Sequence, residues 1–217
     1  MNDLRTYFEE LAGRWDGFQP PDREEVLRRL LAPFAPLLSA SGAILEVGTG
    51  TGALIPRLRE CAPGAWLVSV DLAGEMLRRA RLRCPDAAIV QADTHRPPFA
   101  APGFDLVICH NSFPHFADKP AALNALARLL RPGGHLLILH DLSREKVNAI
   151  HSSGGAAIQN DLLPPGEETG QMLVRAGFAD VQVEDSDERY VVAGRRVPAL
   201  NMYGELPSQR FDNSLAS

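Results

Sequence analysis

The chain has 217 residues, enough for one domain around one sizeable core. Apolar residues make up 45% and charged residues 23%, the balance of a globular protein, and no apolar run approaches the roughly 18 residues of a membrane span. A net charge of −5 argues against a nucleic-acid partner, and the opening Met1-Asn2-Asp3-Leu4-Arg5 lacks the apolar stretch of a secretory signal.

Leu4, Phe8, Leu11 and Trp15 share one helical face, Gln19-Pro20-Pro21 breaks it, and a second helix runs from Asp22 to about Leu38. From residue 43 the pattern alternates. Strands are expected over Ala43–Val47, Ala65–Val70, Ala87–Gln91, Phe104–Cys109 and His135–Leu139. Helices are expected between them, over Thr51–Cys61, Ala73–Arg83 and Ala121–Leu130, the last stopped by Pro132-Gly133-Gly134. That alternation indicates βαβ units, a parallel sheet and right-handed crossovers, an α/β fold. Ser143–His151 reads as a short helix, 152–165 as a Gly/Ser/Pro loop and Glu167–Ala176 as a helix. Val181–Glu184 and Arg189–Ala193 flank a polar turn, the signal of a hairpin. Three units are expected: a helical lid over 1–40, a ligand-binding domain over 41–195 and a loosely held tail over 196–217.

Cys61, Cys84 and Cys109 are odd in number and lack CxxC spacing, which speaks against a disulfide framework or structural zinc and fits a reducing cytoplasm. The run Ile44-Leu45-Glu46-Val47-Gly48-Thr49-Gly50-Thr51-Gly52 carries an apolar strand into a turn with three alternating glycines and then a helix. Glycines allow positive φ and close approach of a ligand, and the helix start supplies free N–H groups. Gly48, Gly50 and Ala53 also satisfy the dinucleotide pattern, and Asp71 would suit a ribose in either case, so an NAD(P)-linked oxidoreductase stays open on the turn alone. Glu46 suits a cationic amino-acid moiety better than a pyrophosphate. Asp93, after the third strand, is placed to accept from an adenine amino group. The chain's final helix and hairpin also differ from a second βαβαβ half.

On these residues the chain resembles the class I S-adenosylmethionine-dependent methyltransferases. Glu46 to Gly52 is similar to their first motif, and Val70-Asp71-Leu72 with Met76-Leu77 to their second. Ala92-Asp93, Phe104-Asp105-Leu106-Val107 and Leu130-Arg131-Pro132-Gly133-Gly134 are similar to later ones, so the resemblance covers about residues 5–195. The opening Phe8 to Asp16 is similar to a small-molecule branch that includes quinone-biosynthesis enzymes. The resemblance implies a Rossmann-like, seven-stranded, mostly parallel sheet of order 3-2-1-4-5-7-6 with helices on both faces. It implies S-adenosyl-L-methionine as cofactor. Gly48, Thr49, Gly50 and Gly52 would surround its methionine part, with Glu46 near the ammonium. Asp71 would hold the ribose, Leu72 and Met76 would lie against the adenine, and Asp93 with Thr94 would read its amino group. Cys109, His110 and Asn111 would border the sulfonium.

All six histidines fall between His95 and His151. Ligands bind open α/β sheets at the carboxyl ends of the strands, where His110 and His140 follow strands four and five. His115 lies in the next loop, and His151 shares a polar helical stripe with Arg144 and Asn148. His110, His115, His140 and His151 are therefore the candidate catalytic residues, as a base in an in-line methyl displacement onto a small-molecule acceptor. His95 and His135 read as structural. The four pocket histidines could instead gather a metal that assists transfer. A non-catalytic binder of S-adenosylmethionine or S-adenosylhomocysteine is a further alternative. No nucleic-acid or membrane partner is expected, and the state is a monomer or homodimer in the cytoplasm.

Overall fold

In the computed structural model, residues 2–198 are described. Three helices open the chain: α1 (Asn2–Leu11), α2 (Arg23–Leu31) and α3 (Ala35–Ala40). The alternating part follows as β1 (Ala43–Val47), α4 (Ile55–Cys61), β2 (Trp66–Asp71), α5 (Gly74–Arg83), β3 (Ala88–Gln91), β4 (Phe104–His110), α6 (Lys119–Leu129) and β5 (Leu130–His140). The chain then forms α7 (Arg144–Ser152), α8 (Gly166–Arg175), β6 (Phe178–Asp185) and β7 (Tyr190–Arg196). The seven strands form one sheet of order β3-β2-β1-β4-β5-β7-β6. Strands β1 to β5 pair in parallel, and β7 runs antiparallel to both β5 and β6. This is the fold that the motif resemblance implied.

The central strands are buried on both faces, which is why they read as continuous apolar runs. Their side chains alternate between two core layers. Leu45, Val107 and Ile138 pack with Leu123 and Leu126 of α6 on one face. Ile44, Ile108 and Leu139 pack with Leu27 and Leu31 of α2 and Leu58 of α4 on the other. Both layers converge on the carboxyl ends of β1, β2 and β4, so the turns there are held from both sides.

Element limits differ from the pattern in three places with a physical cause. The helix expected from Asp22 to about Leu38 is interrupted by a 3-10 turn at Ala32–Phe34, where Pro33 and Pro36 enter, and so divides into α2 and α3. Helix α4 starts at Ile55, later than expected, because the glycine turn continues through Gly52, whose φ is +78°. Strand β5 begins at Leu130 directly after α6, and Leu130 pairs with Phe104 before a register shift restores His135 opposite Leu106. The Pro132-Gly133-Gly134 stretch expected to stop the helix therefore belongs to the strand. Of the expected tail, Arg196 ends β7, and residues 199–217 lie outside the described residues.

Candidate active site

Two chambers open at the carboxyl edge of the sheet. The first encloses about 300 Å³ and is lined by Gly48, Gly50, Asp71, Asp93 and Asn111, among others. Leu72, Met76 and Thr94 also lie in its wall. The second encloses about 670 Å³, with apolar sides from Tyr7, Phe18, Val26, Val147 and Ile150. Phe8, Trp15, Asn111 and His115 line both, so the chambers meet at these four side chains.

The glycine turn is built for close approach. Gly48 has φ +77°, and a Cβ there would lie 2.3 Å from the Ser112 Cβ. Gly50 has φ +56° and nothing nearer than Trp15, at 3.8 Å, where its Cβ would stand. Its bare face is therefore open to the first chamber. Gly52 has a different use: a Cβ would come within 3.0 Å of the Ala80 Cβ, so this glycine lets the turn pack on α5 and does not face the chamber. The Asp71 carboxylate, at the end of β2, accepts from the Gly50 N–H (2.8 Å) and the Ala73 N–H (2.9 Å). Burial raises its pKa, and those backbone donors counter the rise. Asp93 accepts on one oxygen from the backbone N–H and the ring Nδ1 of His95, at 2.9 and 2.8 Å. Burial would raise its pKa, but these donors hold the carboxyl below the usual range.

Glu46 lies outside the described walls of both chambers. It alternates with Ile44 toward the α2–α4 layer and is 2% exposed. One of its oxygens accepts from Ser69 Oγ (2.6 Å) and Thr49 Oγ1 (2.9 Å). Burial pushes its pKa up to about 7, against the two hydroxyl donors. Glu46 and Thr49 thus fasten the turn from below, outside the wall of either chamber.

Three of the four candidate histidines, His115, His140 and His151, line the second chamber, and His110 stands outside it. Strand alternation separates His110 from His140: His110 shares a face with Leu106 and Ile108, and His140 shares the opposite face with Leu136 and Ile138. His110 lies outside both chamber walls, with its Nε2 3.9 Å from Asp141, too long for a hydrogen bond. His140 reaches the second chamber beside Tyr190, 1% exposed. The Nε2 atoms of both are buried without a partner, and burial drives both rings toward the neutral form. His115 and His151 do meet, with ring centroids 4.7 Å apart. His115 Nδ1 lies 2.8 Å from Asp161 Oδ2, and His151 Nδ1 bonds to the Asp161 carbonyl. The stripe on α7 divides as well. Arg144 pairs with Asp185, Asn148 bonds to the Leu163 main chain, and only His151 reaches the chamber. Among the described residues no group of three or more His, Cys, Asp or Glu could hold a metal ion, so the metal-assisted alternative finds no site. Cys109 is fully buried and its thiol is pushed upward in pKa by that burial, far from a nucleophile's range.

Sequence reasoning missed Asp161, His95 and Asp16 as parts of this site, and it named Asn111 without its backbone geometry or its partner. Asp161 comes from the Gly/Ser/Pro loop, 46 positions from His115, and no local pattern links the two. His95, read as structural, lies in the cofactor-side wall and holds Asp93; its spacing of two residues from an aspartate was an available signal. Asn111 has φ +50° and donates to Asp141 (2.8 Å), a left-handed residue at the point where the chambers meet. Asp16 ties the opening segment to the glycine turn: it accepts from Thr51 Oγ1 (2.7 Å) and Arg83 (2.7 Å).

Comparison with known proteins agrees with this geometry. Residues 45–138 match the family described as methyltransferase domain. A ubiquinone biosynthesis O-methyltransferase of Xanthomonas oryzae is 34% identical over 193 residues, covering 82% of this chain and 80% of that one. A demethylmenaquinone methyltransferase of Thermus thermophilus is 37% identical over 147 residues, covering 61% of this chain; the match spans 63% of that protein's length. In fold, the chain is similar to Haemonchus contortus phosphoethanolamine N-methyltransferase 2, solved with phosphomonomethylethanolamine and S-adenosylhomocysteine. There the TM-score is 0.71 at 18% identity, over 90% of this chain and 61% of that one.

A seven-stranded sheet with a glycine turn and paired aspartates at its carboxyl edge defines a Rossmann-like cofactor-binding enzyme. The chain belongs to the class I S-adenosylmethionine-dependent methyltransferases, and S-adenosyl-L-methionine is its cofactor. The residues present fit that cofactor: an open glycine face, a carboxylate at each of two strand ends and a chamber of about 300 Å³ between them.

Proposed function

We propose that the protein is an O-methyltransferase for a neutral, mostly apolar small molecule bearing a hydroxyl, with His115 as general base. One observation carries this reading. His115 lines both chambers, and its Nδ1 is engaged by Asp161 at 2.8 Å. An ionised carboxylate only accepts, so it draws the proton of a neutral imidazole to Nδ1 and leaves the Nε2 lone pair as the acceptor. The quinone-biosynthesis O-methyltransferases that the chain resembles support the same class of reaction.

When bound, S-adenosylmethionine supplies a methyl group on a positively charged sulfur. Gly48, Gly50, Asp71 and Asp93 would hold it, without requiring a ligand role for Glu46, Thr49 or Gly52. Asn111 and Ser112 would border the methyl at the junction. His115 accepts the proton of the acceptor hydroxyl as its oxygen takes the methyl in line. Asp161 keeps the imidazole in the required tautomer and steadies its charged form. Phe8 and Trp15 exclude water from the junction. Within the expected lid of residues 1–40, α1 and the turn after it act as the cover, since they roof both chambers, whereas Leu27, Leu31 and Leu38 belong to the core beneath.

The acceptor's character follows from the walls of the second chamber. Among its described lining residues none is lysine or arginine, while Asp22 and Asp141 are present. A carboxylate or phosphate there would face Asp22 and Asp141 and find only imidazoles opposite, two of which, His140 and His151, burial drives toward the neutral form, whereas a neutral ring system would be covered by aromatic and aliphatic side chains. Methyl transfer from labelled cofactor to matched phenols with and without an added carboxylate tests the class. The neutral phenols should be methylated and the carboxylates refused. His115→Ala should lower kcat by about 10²–10⁴-fold, the usual contribution of a general base, with S-adenosylhomocysteine affinity held within a few-fold. Full turnover by that variant would remove the base from His115.

A further inference from the structure

His95 makes four polar contacts at the adenine end of the cofactor chamber. Its N–H and its ring Nδ1 both reach the same oxygen of Asp93, at 2.9 and 2.8 Å. On the far side of the ring, Nε2 is 3.2 Å from both the Asp118 N–H and the Asp118 carbonyl oxygen. The tautomer protonated on Nδ1 satisfies the two Asp93 contacts and the Asp118 N–H. The Asp93 carboxylate can only accept, so Nδ1 carries the proton and Nε2 takes the Asp118 N–H. Asp118 in turn caps α6, its Oδ1 accepting from the Ala121 N–H at 2.9 Å. The imidazole therefore spans from the loop after β3 to the start of α6. The stretch just before α6 supplies His115, Phe116 and Ala117 to the same chamber.

We propose that His95 is a positioning residue for cofactor recognition, fixing Asp93 so that its second oxygen faces the adenine amino group. With one oxygen saturated by two donors, the carboxylate cannot rotate without breaking both bonds. Its remaining oxygen is the one left for an N–H donor of the ligand. A single-acceptor arrangement of this kind favours 6-aminopurine over a purine with hydrogen or a carbonyl at that position. The proposal rests on the reading that Asp93 meets the adenine, and its test separates the two.

The experiment measures S-adenosylhomocysteine affinity by calorimetry, with melting temperature alongside, for Asp93→Ala, His95→Ala, His95→Asn and the Asp93→Ala/His95→Ala pair. An analogue with hydrogen in place of the 6-amino group is measured in parallel. Asp93→Ala should weaken S-adenosylhomocysteine binding about tenfold, and His95→Ala about three- to tenfold. The pair should bind no worse than Asp93→Ala alone, because His95 acts through that carboxylate. An asparagine Nδ2 falls where the histidine Nδ1 sits, so His95→Asn should recover most of the affinity although it cannot reach Asp118. The 6-hydrogen analogue should be indifferent to all four changes. Unchanged binding in Asp93→Ala overturns the adenine reading and the proposal with it. A tenfold loss in Asp93→Ala with additive losses in the pair, or with His95→Asn as weak as His95→Ala, leaves Asp93 in place and overturns the role of His95.

Discussion

Single residues carry the sharpest consequences at the glycine turn and beneath it. Gly48 has φ +77°, and a Cβ would meet the Ser112 Cβ at 2.3 Å, so Gly48→Ala combines backbone strain with overpacking. A loss of about 2–4 kcal/mol is expected on denaturant titration. Gly64, with nothing within 4 Å of a Cβ and no positive φ, is the control, and Gly64→Ala should shift stability by less than about 1 kcal/mol. Equal effects at the two positions would show that the Ser112 contact does not constrain the turn. Glu46 bears on pH. Its carboxyl titrates near 7 in the fold and near 4.5 in its ordinary state. The folded protein therefore holds a proton that the unfolded chain releases, and Glu46 favours folding most below about pH 4.5. That advantage disappears as pH rises toward 7, reaching about 3 kcal/mol from a shift of this size. Glu46→Gln should flatten the fall in melting temperature between pH 5 and 8. A parallel fall in both proteins would mean that Glu46 is not the titrating group.

At the scale of elements, the question is how α1 is held over the chambers. Helix α5 begins at Gly74 with Ala73 before it, and no side chain of its own caps the first turn. Glu9 of α1 supplies the cap across space, accepting from the Gly74 N–H (2.9 Å) and the Glu75 N–H (2.7 Å). A carboxylate there also meets the positive end of the helix dipole; burial would raise its pKa, but these bonds together with Arg5 hold it below the usual range. Glu9→Ala should remove about 1 kcal/mol of stability and speed proteolytic cleavage within residues 1–22. Cleavage at the wild-type rate would show that the Asp16 contacts alone hold the segment. The amphipathic spacing of α1 was legible in sequence. Its partner was not, because a cap supplied from 65 positions away leaves no trace in the capped helix itself.

For the whole molecule, the two core layers fix the carboxyl edge of the sheet, so a ligand that binds there stabilises the entire fold by mass action. S-adenosylhomocysteine at about a hundred times its Kd should contribute about 2.7 kcal/mol, a rise of roughly 5–10 °C in melting temperature for a domain of this size. NAD should give no rise. A shift with NAD instead would return the dinucleotide reading that the glycine turn alone allows. The same whole-molecule geometry divides the histidines. His110 and His140 stand at neighbouring strand ends yet belong to opposite faces, while His115 and His151, on a loop and a helix, come within 4.7 Å between rings.

By itself the sequence determined the frame of this protein and the residues that stand at its strand ends. The strands, the glycine turn, Asp71 and Asp93 depend on short-range rules: period-two burial, positive φ, and residues that sit at strand ends. Those rules operate within a few positions, and one chain displays them. The tertiary structure decided what the site residues meet. Glu46 closed onto Ser69 and Thr49 beneath the turn. His115 gained Asp161, and Asp93 gained the α6 strap through His95, because distant loops close onto one edge of the sheet. Such contacts are selected by packing across the fold, and their partners have no fixed spacing in the chain.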